Sequence, residues 1–308
     1  MYALLAPLVG AVITLMNGVN SVFSVAVGNY LATLVIHIVG LAALCLILAF
    51  RKEGGDGKKL PFYMYSGGIV GVATVFVCNI AYSELGASLA VALALLGQML
   101  GSVLIDSTGF LGRRKYPLSL RSLPGVALAL VGVFVMAGDW EGKVGFMAFA
   151  LLAGALPLLS FTLNSQLAVS KGIFRSARIN YLVGLASTIL LIAVVRPPMA
   201  EGLVALPGTS VLYLTGGGLL GVLVVAGTNL IFPKIPALWS TLLLFSGQAL
   251  AGLALDAFSK GSFELPKLVG TAVVLAALGL NSLMDKKAAV TGITQKGYST
   301  SLANKDNH

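Results

Sequence analysis

Two amides and two carboxylates recur at fixed spacing in an otherwise apolar chain. Gln98 and Asp106 sit in LALLGQMLGSVLID, and Gln248 and Asp256 sit at matching places in LLFSGQALAGLALD. An amide both donates and accepts hydrogen bonds, so a facing pair can hold a neutral or zwitterionic solute without fixing its charge. The same amides can instead bridge neighbouring helices, a contact of about 0.6–2 kcal/mol. Asp106 and Asp256 end their apolar runs, and on a helix Asp106 lies roughly 12 Å beyond Gln98. Each carboxylate is then either a gate residue, with Arg121 as a basic partner for Asp106, or an interfacial group marking the end of a span.

Four asparagines form a second duplicated set. Asn20 pairs with Asn164 and Asn79 with Asn229; cavity lining, interhelical hydrogen bonding and, for Asn20, helix capping all suit them. His37 is the one histidine inside an apolar run, and the one obvious group titrating near neutrality. It reads as a proton relay or as a buried hydrogen-bonder. An ionised side chain at the bilayer centre costs about 2.5–3.5 kcal/mol on insertion scales. No carboxylate falls at mid-span, which weakens a simple proton–cation exchange. Metal-ligand clusters, phosphate loops and nucleophile–base pairs are absent from the sequence, and GGGLLG at 216–221 lies inside a span as a packing element. The expectation is a protein that is not an enzyme, with no cofactor, no metal and no nucleic-acid partner.

The elements that position these groups are membrane helices. Of 308 residues 57% are hydrophobic and 10% charged, against about 25% charged in a soluble domain. Continuous apolar runs of roughly 20 residues argue for helical spans, and not for the alternating strands of a barrel. Ten fit: about 3–23, 28–50, 62–84, 87–106, 121–138, 144–166, 178–196, 208–231, 236–256 and 266–283. Assigning the loops alternately to two sides puts 16 of the 20 basic residues on the side of the N-terminus and 4 on the other. That bias predicts cytoplasmic termini. Residues 285–308 form a polar tail with the composition of a disordered segment. Cys45 and Cys78 lie in apolar runs and imply no disulfide framework.

The pairing of polar residues belongs to a longer repeat. GVNSVFSVAVGNYLATLVIHIVG (18–40) matches TLNSQLAVSKGIFRSARINYLVG (162–184) without gaps, and GGIVGVATVFVCN (67–79) matches GGLLGVLVVAGTN (217–229). The halves are 1–140 and 141–284, five spans each. An odd number of crossings makes successive copies enter from opposite faces, so the expected fold is all-α, ten helices in two inverted five-helix repeats.

The segment GGIVGVATVFVCNIAYSELGASLAVALALLGQMLGSVLIDSTGFLG, followed by YPLSLRSLPGVALALVGVFVM, resembles the YdcZ-type family of the drug/metabolite transporter (DMT) superfamily. The matching features include Gly67-Gly68, Leu85-Gly86, Gly97-Gln98, Asp106, Pro117 and Arg121; the second half matches more loosely. The resemblance implies a fused form of a five-helix unit and, by superfamily analogy, a secondary transporter for a small organic solute in the bacterial inner membrane, an exporter working by alternating access. A lipid or lipid-carrier translocase and a scaffold subunit without a solute are the alternatives. Expected partners are the solute and membrane lipid, with a homodimer left open.

Overall fold

The computed structural model describes residues 2–85, 87–112 and 144–260, with scattered positions between 115 and 135 and between 265 and 280. Its described residues form eight long helices: α1 (Tyr2–Val27), α2 (Asn29–Phe50), α3 (Gly67–Leu85), α4 (Ala87–Thr108), α5 (Val144–Lys171), α6 (Ile173–Val195), α8 (Val211–Ile231) and α9 (Ala237–Lys260). A six-residue helix, α7 (Ala200–Ala205), lies between α6 and α8. The protein is all-α and spans a membrane several times. Five segments have the length and hydropathy of a span: Tyr2–Val27, Asn29–Phe50, Gly145–Lys171, Ile173–Val195 and Val211–Ile231. Gly67–Cys78, Leu93–Thr108 and Ala237–Gly252 are shorter apolar stretches. The spans expected at 121–138 and 266–283 fall outside the described residues apart from isolated positions, and the 285–308 tail falls outside them entirely.

These helices are stable in lipid because each satisfies its own backbone hydrogen bonds. Hydroxyls inside them fold back onto the preceding turn: Thr33 Oγ1 donates to the Asn29 carbonyl (2.7 Å), Thr74 to Val70 (2.8 Å), Thr188 to Gly184 (2.8 Å) and Thr228 to Val224 (2.9 Å). Pro157 interrupts α5. Lacking an N–H, it frees the Ala153 carbonyl four residues back, and that oxygen receives the Cys78 thiol at 3.8 Å.

Packing joins the halves rather than separating them. α1 packs on α8 and α9, and correspondingly α5 packs on α3 and α4; α2 and α6 cross, and α4 meets α9. The tightest approaches repeat the offset seen in the sequence. A Cβ on Gly247 would meet the Pro7 carbonyl, and one on Gly97 would meet that of Leu151. Likewise Gly10 lies on the Leu244 carbonyl and Gly154 on that of Ala94. Gly28 and Gly172, at φ 82° and 100°, make the one-residue breaks between α1 and α2 and between α5 and α6, a backbone that favours glycine.

The connection between α2 and α3 lies over the second of these breaks. Glu53 Oε2 accepts the backbone N–H groups of Phe174 (2.8 Å) and Arg175 (3.0 Å), capping α6. Ser170 Oγ donates to the Lys58 carbonyl (2.7 Å), and the Arg51 guanidinium stands 5.0 Å from the Phe174 ring centre. On the other half, α7 covers the first break, with Gly202 against the Val27 carbonyl.

Candidate functional site

All eight long helices contribute to one central cavity of about 200 Å³. Gln98 from α4 and Gln248 from α9 both line it. Neither carboxamide has a hydrogen-bond partner among the described residues; Thr14 Oγ1 bonds to the backbone carbonyl of Gln248 (3.0 Å), tying α1 to α9. The glutamines therefore present free donors and acceptors to the cavity. Met16, Phe161, Val224 and Phe245 supply apolar wall.

Asn20 and Asn164, though equivalent in the repeat, are placed differently. Asn20 lines the cavity, and its buried Oδ1 has no partner. Asn164 lies behind the wall, donating to Ser160 Oγ (3.2 Å) and to Asn180 Oδ1 (2.9 Å). Asn229 is also buried away from the cavity; its Nδ2 donates to the Ile173 carbonyl at 3.1 Å. Asn79 lies in α3 with its side chain outside the described residues.

His37 and Tyr181 meet where α2 crosses α6, ring centres 5.7 Å apart. Nδ1 of His37 is 2.7 Å from the Thr33 carbonyl oxygen and donates to it. That leaves Nε2 on the side packed against Gly184. Tyr181 packs on Gly40 and extends to Gly221, donating to the Gly218 carbonyl at 3.3 Å. Gly71 is the repeat counterpart of Gly221, and nothing lies within 4 Å of where its Cβ would be. The cavity occupies that room.

Asp106 is buried at the end of α4 and accepts the backbone N–H groups of Ala237 (2.9 Å) and Leu238 (2.8 Å), the first residues of α9. Unsatisfied N–H groups and the helix dipole both favour an anion there. A gating role for Asp106 would have to include release of those two bonds. Arg121, and the side chain of Asp256, lie outside the described residues.

Several residues of the site were not among those singled out from sequence. Asn17 and Ser160 line the cavity and stand three and four residues before Asn20 and Asn164, a spacing that shares a helix face. That signal was available. Asn180, which also lines the cavity, carried none, because its partner Asn164 lies on another helix.

The arrangement has known counterparts. Residues 1–135 and 145–280 match the family described as "Putative inner membrane exporter, YdcZ". The chain belongs to this YdcZ family of DMT proteins. It is therefore a DMT-type membrane transport protein of the inner membrane, multi-pass and not an enzyme. No functionally curated protein matches the sequence. A solved structure described as "Crystal structure of protein" superposes on 92% of this chain and 96% of its own, with a TM-score of 0.66 and 17% sequence identity. At that identity the likeness concerns the fold alone.

Proposed function

We propose that this YdcZ-family chain is a secondary transporter that exports a small organic solute by alternating access, with the central cavity as its binding site. In this reading ten spans form two inverted five-helix repeats, both termini are cytoplasmic, and the halves exchange conformations about the cavity. The observation that carries it is that Gln98 and Gln248, matched in the repeat, line the same cavity with no side-chain partner among the described residues. A pair of helix-bridging amides would have bonded to neighbours. The reciprocal packing of α1 on α8 and α9 and of α5 on α3 and α4 supports the repeat. Asp106 acts in gating by tying α4 to the start of α9, and His37 is the titratable group available for coupling. Asp256 and Arg121 complete the gating proposal, and Asn79 the binding one, on sequence grounds.

The test is solute efflux from proteoliposomes with wild type and the Gln98→Leu/Gln248→Leu double variant. Flux lost in a variant that keeps its melting temperature supports the reading. Unchanged flux moves the site elsewhere, and lipid scrambling in place of solute flux favours the translocase.

A further inference from the structure

The cavity's chemistry narrows the class of solute, an inference that rests on the transporter reading above. No Asp, Glu, Lys or Arg lines the cavity among the described residues. In the two spans expected at 121–138 and 266–283 the charged residues are Arg121 and Lys267, each within the first two positions and so at the end of its span. A charged solute would lose its hydration without gaining a counter-ion, which is strongly unfavourable. What the cavity offers instead is carboxamides. Gln98 and Gln248 each present both a donor and an acceptor and Asn20 a donor, beside an apolar wall that includes Phe161 and Phe245.

Asn20 is the decisive one of the three. Its counterpart Asn164 spends its donors on Ser160 and Asn180. At the positions matching those two residues the first half has Met16 and Ile36, which accept no such bond. Asn20 thus has the same place on its helix but no hydrogen-bond partner among the described residues; its Oδ1 is sealed against Gly217, and its Nδ2 is the group left to the cavity. A carboxamide N–H left without an acceptor gains when a ligand supplies one. We infer that Asn20, with Gln98 and Gln248, binds an uncharged solute that joins a carboxamide-like donor–acceptor group to a compact apolar body. Asn164 is its structural twin.

Benzamide, benzamidinium and benzoate share a ring and differ in charge, so they serve as probes. Titration calorimetry of the full chain in lipid nanodiscs should give a saturable isotherm for benzamide that Asn20→Leu weakens by about tenfold or more. Without ligand, Asn164→Leu should lower the melting temperature, whereas Asn20→Leu should leave it unchanged or raise it. Tighter binding of benzamidinium or benzoate than of benzamide overturns the inference, as does binding of none of the three. Benzoate binding that emerges on acidification would assign the cavity to an anion held by protonated His37; Tyr181 on α6 and Cys78 on α3 are the other titratable groups lining it, and α1 and α8 contribute none. Equal destabilisation by Asn20→Leu and Asn164→Leu would make both structural, and so also overturns it. Radiolabelled benzamide uptake into proteoliposomes separates the two readings. Binding without uptake counts against transport, and uptake indifferent to Asn20→Leu counts against this site alone.

Discussion

In the second half the Tyr181 hydroxyl extends to Gly221 and donates to the Gly218 carbonyl; at the matched place in the first half His37 leaves the room beside Gly71 open. The asparagines differ in the same direction. The Nδ2 of Asn164 donates to both Ser160 and Asn180, while Asn20 has Met16 and Ile36 where those partners would be. Two similar backbones thus carry unlike interiors. In the two-repeat reading proposed above, duplication supplies a symmetric frame, and substitution at a few positions fills the room beside Gly221 and leaves that beside Gly71 open. The glycine contacts that hold the frame have stayed alike in both copies. Of the side chains facing the cavity, Gln98 and Gln248 are alike, while those around Asn20 and His37 are not.

The strongest break in this comparison comes from the frame. Gly97→Val and Gly247→Val each drive a side chain into a backbone carbonyl, of Leu151 and of Pro7 respectively. Backbone cannot swing aside as a side-chain tip can, so each should cost at least the 1–3 kcal/mol typical of overpacking. Because the contacts are equivalent, the two losses should be alike in melting temperature or folded yield. The matched pair Gly221→Ala and Gly71→Ala should behave oppositely. Alanine at 221 meets the Tyr181 hydroxyl and destabilises. Alanine at 71 meets nothing and should be neutral, or gain part of the about 1 kcal/mol by which alanine exceeds glycine in a helix. Equal effects at 71 and 221 would show that the halves do not differ there.

A smaller change should remove the difference itself. His37→Tyr gives the first half the residue of the second, and the tyrosine hydroxyl would then point toward Gly71 with the Gly68 carbonyl as its acceptor. The protein should keep its folding stability within about 1 kcal/mol, the scale of one net hydrogen bond, while solute binding falls because the cavity is filled. Retained binding in a folded His37→Tyr protein would mean that the ligand does not use the room beside Gly71.

How much of this the sequence carries depends on distance along the chain. Helical spans, the duplicated amides and the YdcZ resemblance rest on local pattern, and the glutamines do share a cavity. That Asn20 and Asn164 differ was half legible: Ser160 sits one turn before Asn164, and Met16 one turn before Asn20. The other half was not, since Asn180 comes from α6 and its meeting with Asn164 follows from how α5 and α6 pack. Asp106 illustrates the same limit. Its spacing from Gln98 put it at the end of a helix, but its partners, the first N–H groups of α9, lie 131 and 132 residues away. A carboxylate at a helix end has no local feature that names the second helix it will cap.

The connections over the two breaks extend the comparison to the membrane surface, with the smallest expected effect. Glu53 caps α6 with charge-assisted bonds from Phe174 and Arg175, whereas Glu201, in the first turn of α7, is exposed and α7 seats its glycine on the Val27 carbonyl. Glu53→Gln keeps an acceptor oxygen but removes the charge that favours a helix N-terminus, so it should cost about 0.3–1 kcal/mol. Glu201→Gln should change stability by less, because a six-residue helix carries little dipole and the group is screened by solvent. Hydrogen exchange locates the effect better than melting does. The Phe174 and Arg175 amides should exchange faster in Glu53→Gln and be unaffected by Glu201→Gln, and added salt should narrow the gap. Equal exchange in both variants would mean that the clasp on α6 is held by the Ser170 and Arg51 contacts, and that Glu53 is dispensable to it.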